Sequence, residues 1–300
     1  MAPITRSTHP AALWPGVRKF VMDEYTKHPT IYDQIFTMLS SDRAYEEDVA
    51  LEGFGLVPVK AEGESVVYDT AAQGLTTRYV HVARALGYII TREMLDDNQY
   101  KSRSMKFGRA LSRSFRVTKE MVAANILNRA FNASYPGADG KELIATDHPT
   151  TGGLSSNELT VAADLSEASL EDLISQVRAA KDSRGFPVAI RPRALVVPTG
   201  LWADSQRLVS SSLQPGNANN DVNVLKGIFP GGIIENPYLT DPDAWFIMSD
   251  VADGLIGFDR TPYEFTQDND FDTSNAKAKG YERYAFGWTD WRGIWGSAGA

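Results

Sequence analysis

One stretch, from Thr91 to Asn132, constrains the fold of this 300-residue chain more than any other. Between these ends there is no proline and a single glycine, Gly108. The pattern predicts one helix of about 40 residues, roughly 60 Å long, far longer than the usual helix of about 11–12 residues. Its apolar side chains recur at helical spacing, at Phe107, Leu111, Phe115, Val122, Ile126 and Ala130.

The same stretch is basic, although the chain as a whole has a net charge of −8. A single acid, Glu120, accompanies the cations between residues 101 and 120, which are Lys101, Arg103, Lys106, Arg109, Arg113, Arg116 and Lys119. Two interpretations stay open. The cations line a solvated helix face, or they bind an acidic partner such as nucleic acid or an acidic segment of another subunit.

Residues 1–50 are predicted to form an N-terminal arm, because prolines interrupt any long element there. Short helices are predicted over 17–25 and 31–39. Residues 51–90 are predicted to form an extended β-hairpin with strands over 56–60, 65–69 and 76–90. Neither face of the last strand is cleanly apolar, so the hairpin needs a partner surface.

The second half of the chain alternates helix and strand signals. A turn-rich loop over 134–153 is followed by an amphipathic helix over 169–182. The pattern over 187–258 predicts a compact α/β lobe. Its elements are a buried strand at 194–197, a helix at 198–213 and short strands at 231–234, 245–248 and 255–258, and the tail adds strands at 263–266 and 279–288.

Composition and motifs argue against an enzyme. The chain has no cysteine, which excludes disulfides and thiolate chemistry. Metalloprotease, nucleophile-elbow, Walker and dinucleotide-binding motifs are absent. We therefore predict no catalytic residue, no metal site and no cofactor. The N-terminus lacks a signal-peptide core and no apolar run approaches the roughly 20 residues that span a membrane, so we expect synthesis in the cytoplasm and no membrane partner.

Two groups come nearest to a chemical site. Asp147 and His148 resemble the start of a proton relay, but no serine or cysteine nucleophile lies near them in the sequence. Asp268, Asp270 and Asp272 alternate like the first ligands of a calcium loop. The later glycine and glutamate of such a loop are missing, so a solvated acidic turn is the favoured interpretation.

Several phrases, in the same order along the chain, resemble the major capsid proteins of tailed bacteriophages, most closely the head subunits of Mu-like phages and prophages. These phrases are LNRAF (127–131) with DGKELIATDHP (139–149), RPRALVVPTGLW (191–202) with PGNANND (215–221), NPYLTDPDAWFIMSD (236–250) and YERYAFGWTDW (281–291). The resemblance covers nearly the whole chain, and it implies the α+β Hong Kong 97-type capsid fold.

The resemblance also implies an anatomy for the subunit. Residues 1–50 correspond to the N-terminal arm and 51–90 to the extended hairpin, or E-loop, that overlaps the next subunit. Residues 91–186 correspond to the peripheral domain, with the spine helix over 91–132. Residues 187–258 correspond to the axial domain, and 259–300 return to the peripheral domain.

The implied function is structural. Such a subunit self-assembles into hexamers and pentamers of an icosahedral head that encloses double-stranded DNA, without catalysis. Because no long scaffolding segment precedes the arm, we expect a separate scaffolding protein, together with a portal and a maturation protease, and assembly in the cytoplasm of a bacterial host. A net acidic shell suits packaged DNA, which is held without sequence-specific binding.

The resemblance suggests that the basic spine helix meets acidic arms or hairpins of neighbouring subunits. We expect that neutralising Arg109, Arg113 and Arg116 together blocks assembly more than folding. The candidate inter-subunit contacts are Arg103, Lys106, Arg109, Arg113 and Arg116 on the helix, and Glu46, Glu47, Asp48, Glu62 and Glu64 on the arm and hairpin.

Three alternatives remain at this point. The first is an encapsulin-like compartment shell with the same fold. The second is a nucleic-acid-binding protein that uses the basic helix over 101–119. The third is a hydrolase of unknown type that depends on His148.

Overall fold

The structure is a computed structural model that describes residues 14–70, 72–91, 93, 100–214, 221–252, 254–270 and 275–300. In chain order the elements are α1 (Trp14–Lys27), α2 (Tyr32–Ile35), β1 (Thr37–Ser40), β2 (Tyr45–Glu52), β3 (Ala72–Val80), β4 (Val82–Ile90), α3 (Tyr100–Asn128), β5 (His148–Thr150), β6 (Gly153–Ser155), α4 (Glu167–Arg178), β7 (Pro192–Val197), α5 (Trp202–Ser210), β8 (Ile233–Glu235), β9 (Trp245–Ser249), β10 (Leu255–Asn269), β11 (Ala276–Trp288) and β12 (Ile294–Ser297), with 3-10 turns at Thr199–Leu201 and Trp291–Gly293.

The long helix α3 is present but shorter than the sequence predicts. It has 29 residues, or about 43 Å at 1.5 Å per residue. Thr91 is not helical, and residues 94–99 lie outside the described residues. The glycine within the helix has a packing role, because a Cβ atom on Gly108 would lie 2.6 Å from Val21 Cγ2 of α1. Gly108 therefore lets α1 cross α3 closely.

The first sheet has the strand order β1-β10-β11-β4. Strands β10 and β11 form a long antiparallel pair, and α1 and α3 cover one face of it. The helix predicted over 31–39 is wrong in its second half, where residues 37–40 pair in parallel with 256–259. Tertiary pairing with the edge of β10 overrides local helix propensity there. The buried side chains of this layer are Val21, Tyr25, Leu111, Phe115, Tyr263, Phe265 and Ala278.

The second sheet has the order β12-β9-β7-β8 and confirms the lobe strands predicted at 194–197 and 245–248. Both of its faces are covered. Ala194 and Val196 face the core shared with α3, whereas Leu195 and Val197 face the core shared with α4 and α5. Because both faces are buried, these strands are continuous apolar runs rather than alternating ones.

The hairpin differs most from the prediction. Strand β2 pairs antiparallel with β3, so pairing begins at Tyr45. The strands predicted over 56–60 and 65–69 are wrong, since residues 53–70 form an extended loop with one turn at 62–63. These residues lie against no sheet edge in the subunit, and an isolated hairpin is marginal in water. The strand predicted over 76–90 is split at the buried His81, after which β4 joins the first sheet.

Candidate subunit-contact surface

One face of α3, which carries Arg109, Ser112 and Arg116, holds the chain's own N-terminal helix. Arg109 Nε donates to Glu24 Oε1 at 3.1 Å. One turn further on, Ser112 Oγ donates to the carbonyl oxygen of Val21 at 2.9 Å. Both contacts are made at the three- or four-residue spacing of one helix face, so α1 is fixed along α3 by polar anchors as well as by packing.

Arg116 continues the same line and is 8% exposed. Its Nη2 donates to the Tyr25 carbonyl oxygen at 3.0 Å, and its Nη1 donates to Tyr32 Oη at 3.1 Å. The guanidinium carbon also lies 4.0 Å from the centre of the Tyr25 ring, which is cation–π geometry. Arg116 is thus an internal anchor of the arm rather than part of a solvated face.

Glu120, the single acid of this stretch, closes the line of anchors. Its two carboxylate oxygens accept from the amides of Ile31 and Tyr32 at 2.9 and 3.1 Å. Burial raises the pKa of the Glu120 carboxyl, although these amide hydrogen bonds oppose the shift. The carboxylate therefore satisfies amides at the start of α2 that have no partner within that helix.

A buried acidic group lies beneath this junction, on β11. Glu282 is 1% exposed, and Tyr25 Oη donates to its Oε2 at 3.2 Å. Burial raises its pKa to about 7, against the opposing charge of Lys119. Lys119 itself donates to Asp259 Oδ1 at 2.6 Å, so its ion pair is with that carboxylate and not with Glu282.

Three cations on the described part of α3 are exposed, Lys106, Arg109 and Arg113, and they line a shallow groove with Ala110, Ser114 and Val117. Arg109 is paired with Glu24 of α1, which leaves Lys106 and Arg113. Neither makes an ion pair with any residue that the structure describes. Arg103 lies in α3, but its side chain is outside the described part of the structure. The basic surface available for a partner is therefore narrower than the sequence suggests.

The acidic candidates also divide into two groups. Three of them, on β2, are bonded within the subunit: Glu46 to Ser41 at 2.7 Å, Glu47 to Arg78 at 2.6 Å and Asp48 to Thr289 at 2.7 Å. Glu62 and Glu64, at the turn of the extended loop, are exposed. Their carboxylates have no hydrogen-bond or ion-pair partner among the described residues.

The extended loop over residues 53–70 also exposes a row of apolar side chains. Val59 is 98% exposed and Val57 is 94% exposed. Soluble proteins rarely leave so much contiguous apolar surface uncovered unless it binds something. The other exposed apolar residues of the loop are Phe54, Leu56, Val66, Val67 and Tyr68.

His148 is not a solvent-accessible catalytic residue. It is fully buried and stacks on the Trp291 ring at 4.4 Å. Its Nδ1 lies 2.6 Å from Asp139 Oδ2, so the relay partner suggested by the sequence, Asp147, is wrong. Asp147 instead pairs with Lys141. Burial raises the pKa of Asp139, but hydrogen bonds from His148 and from the Lys141 amide outweigh it and leave the pKa below its ordinary value.

Asn157 completes this buried network, and no motif in the sequence marks it. Its Oδ1 accepts from the Ala145 amide at 2.9 Å and lies 3.1 Å from His148 Nε2. Its Nδ2 donates to the carbonyl oxygens of Leu143, Trp291 and Ile294. Asn157 therefore ties the turn-rich loop to the C-terminal strand β12, and the network is structural.

The acidic turn after β10 shows no metal site within the described residues. Asp270 pairs with Lys277 at 2.8 Å, and Asp272 lies outside the described residues. No group of three or more potential metal ligands occurs in the part of the chain that the structure describes. Within the same part, we find no helix with the length and apolar character needed to span a bilayer.

The sequence matches a known family. A family model described as phage capsid protein matches residues 74–297, which is most of the chain. No curated protein matches the sequence.

The fold is similar to those of several solved capsid structures. The bacteriophage JBD30 capsid is 17% identical, with 80% of this chain and 100% of that chain covered and a TM-score of 0.57. A virus-like particle from Pyrococcus furiosus is 15% identical, with 94% and 97% covered and a TM-score of 0.52. The capsid of an empty GTA particle is 11% identical, with 97% and 98% covered and a TM-score of 0.52. At these identities the likeness shows the fold alone, and it confirms the predicted α+β Hong Kong 97-type fold.

Proposed function

Because this chain belongs to the phage capsid protein family, we propose that its extended loop over residues 53–70 is a principal contact with the next copy of the chain in an icosahedral phage head. The protein is a structural subunit of a capsid shell. The observation that carries the proposal is the row of exposed apolar side chains on the loop. A second copy covers them when the shell forms.

The assembly that we propose follows the family resemblance. Residues 1–50 act as the arm, 51–90 as the extended hairpin, 91–186 and 259–300 as the peripheral domain, and 187–258 as the axial domain around the centres of hexamers and pentamers. We propose that a separate scaffolding protein, a portal and a maturation protease act with it in the host cytoplasm. The subunit encloses double-stranded DNA, has no catalytic role and is of the Mu-like type.

The test is assembly of the purified protein, alone and after co-expression with candidate scaffolding proteins. Size-exclusion chromatography and negative-stain microscopy of the leading fractions should show capsomers, sheets or closed shells. Persistent monomer with every scaffold would contradict the proposal. The fold likeness alone does not separate a phage head from another kind of shell, but the family match favours the head.

The nucleic-acid-binding alternative makes a different prediction. A protein that neutralises several phosphates with lysine and arginine binds DNA with a steep dependence on salt. Arg109, Arg116 and Lys119 are bonded within the subunit, which leaves few free cations on the described part of the helix. We therefore expect no salt-dependent DNA binding by the soluble subunit, and such binding would revive the alternative.

Within the shell, we propose that Glu62 and Glu64 of one copy meet Lys106 and Arg113 of a neighbouring copy, with Arg103 as a further candidate. The remaining acidic candidates are already bonded within the subunit, whereas these charges are exposed and opposite in sign. Lys106 and Arg113 lie two helical turns apart, about 10 Å, a distance that flexible side chains on one turn of a loop span easily.

A charge swap tests this contact. The variant Glu62→Lys/Glu64→Lys should assemble poorly, because like charges then meet. Adding Lys106→Glu/Arg113→Glu to it should restore shells. Glu171→Lys/Asp172→Lys, a matched reversal on the exposed face of α4, is the control and should assemble normally. Equal loss in the double and quadruple variants would contradict the pairing.

A further inference from the structure

The base of the extended loop is closed by one carboxylate. Asp69 Oδ2 accepts from the Gly55 amide at 2.7 Å, and its Oδ1 accepts from the Thr70 amide at 2.8 Å. Gly55 lies on the outgoing passage of the chain and Asp69 on the returning one, so the bond between them joins the two passages. The hydrogen bond from Gly55, followed by that from Thr70, lowers the pKa of Asp69, because both bonds favour the ionised carboxylate.

Arg184 ties this base to the body of the subunit. Its Nη1 donates to Asp69 Oδ2 at 3.1 Å, and its Nη2 donates to the Thr70 carbonyl oxygen at 3.0 Å. Because a planar guanidinium binds these two acceptors at once, it fixes the orientation of the loop base as well as its distance from Arg184. Residues 56–68, all of them described, make no hydrogen bond or ion pair with the body of the subunit. The direction of the loop therefore depends on its base.

The turn that carries Arg184 is itself held in place. Asp182 Oδ1 accepts from the Arg184 amide at 2.9 Å. Gly185 has a φ of 90°, a left-handed conformation that favours glycine. The Gly152 amide donates to the Ser183 carbonyl oxygen at 2.7 Å, which fastens this turn to the β5–β6 hairpin. Arg184 thus projects from a fixed platform rather than from a free loop.

Gly55 packs closely against both side chains of the Asp69–Arg184 ion pair. A Cβ atom on Gly55 would lie 3.2 Å from Asp69 Oδ2 and 3.4 Å from Arg184 Nη1. A Cβ atom there would therefore be tight against Asp69 and in ordinary contact with Arg184. We call Gly55, Asp69, Thr70 and Arg184 the loop clamp.

We propose that Arg184 is a positioning residue for assembly, which sets the direction in which residues 56–68 leave the subunit and so aligns them with the next copy. The proposal rests on the shell function proposed above. Seven extended residues reach up to about 23 Å from the base. A rotation of about 15° at the clamp then moves the loop tip by roughly 6 Å, more than a side-chain contact tolerates.

The clamp can be tested in the soluble full-length subunit, independently of assembly. The chain has no cysteine, so two introduced cysteines would be its only sites of spin labelling. We choose Ala61→Cys on the loop and Glu171→Cys on α4, because both positions are exposed. Double electron–electron resonance should give one narrow distance distribution. Arg184→Ala should broaden or shift this distance distribution. Arg184→Lys keeps the positive charge but loses the two planar N–H donors, so it should give an intermediate distribution.

The same variants, without labels, are then assembled with scaffold. Arg184→Ala should cause a several-fold loss of closed shells, or shells of irregular diameter, with an unchanged midpoint of unfolding. Arg178→Ala removes an exposed arginine at the end of α4 and is the control, which should change neither measurement.

Each outcome decides one claim. An unchanged distance distribution in Arg184→Ala would overturn the clamp. A broadened distribution with normal shell yield and diameter would overturn its role in assembly. If the unmodified protein formed no shells with any scaffold, the proposed function would fail, and with it the role in assembly, while the distance distributions would still decide whether the clamp exists.

Discussion

The junction between α1 and α3 and the extended loop over residues 53–70 lie in the same half of the chain, but their side chains are satisfied in opposite ways. At the junction, charged groups are buried and bonded within the subunit, as Arg116 and Glu120 show. On the loop, Val57 and Val59 are almost completely exposed, and Glu62 and Glu64 have no hydrogen-bond or ion-pair partner among the described residues. The first region stabilises one subunit, whereas the second is the surface that we propose another copy covers.

Residues that stabilise one subunit and residues that contact another subunit cannot be distinguished from the sequence pattern alone. Cations of one helix look alike in the sequence, but Arg116 holds the arm and Arg113 faces outward. Burial with partners indicates a contribution to folding. A contiguous exposed apolar surface indicates a contribution to association. The following predictions test whether the two contributions can be separated by mutation.

The largest effect on stability is expected at the apolar centre of the junction. Phe115 is 4% exposed and its ring centre lies 4.9 Å from that of Tyr263. Phe115→Ala should lower the free energy of unfolding by about 3–5 kcal/mol, because it leaves a cavity. Urea denaturation of the soluble subunit measures this. A loss below about 1 kcal/mol would show that the junction is not a packed core.

The next effect separates two arginines of the same helix. Arg116→Ala should cost about 2–3 kcal/mol of unfolding free energy, because buried acceptors on Tyr25 and Tyr32 lose their donor. Arg113→Ala should change it by less than about 0.5 kcal/mol and should reduce assembly instead. The triple neutralisation expected from the sequence to affect assembly therefore combines two effects. Equal destabilisation by the two single variants would contradict the division.

A smaller effect depends on pH and on Glu282. Burial raises its folded-state pKa to about 7, above its ordinary value of 4.5. The stability linked to the protonated carboxyl is therefore fully present below about pH 4.5 and is lost as the pH rises through about 7. Glu282→Gln cannot ionise, so its stability relative to the natural protein should rise by about 2 kcal/mol between about pH 5 and pH 8. Parallel unfolding profiles for the two proteins would contradict this.

The smallest effect on subunit stability is expected on the loop. Val57→Ser/Val59→Ser should change the unfolding free energy by less than about 0.5 kcal/mol, because both side chains are already exposed. Shell yield should nevertheless fall, since apolar surface that a neighbour would bury has been removed. Val161→Ser, a change at another exposed valine, is the control. Normal shell yield from the double variant would contradict a contribution of these loop valines to assembly.

The sequence predicts the elements that local pattern determines. The apolar stripe of α3 and the apolar runs of β7 and β9 are such elements. Strand β1 was missed because it depends on the distant edge of β10. The composition of residues 56–60 and 65–69 predicts strands, but the subunit provides no sheet edge for them to pair with.

The candidate surface was predicted in part, and its inter-subunit role stays a prediction. The sequence identifies the cations and acids but not their partners. One signal was available for the internal anchors. Ser112 and Arg116 follow directly after Leu111 and Phe115 of the apolar stripe, and Glu120 continues their four-residue spacing, so all three lie on one helix face beside the stripe. Asn157 had no comparable signal, because its five polar contacts come from distant segments of the chain.

The central claim is that the loop is exposed in the subunit and covered in the shell. Val59→Cys introduces the only thiol in a chain without cysteine, so its reaction with a maleimide reports on this position alone. In the soluble subunit, the rate of this reaction should approach the rate measured for the urea-unfolded protein. In purified shells, the rate should be several-fold lower. Equal rates in subunit and shell would contradict the account.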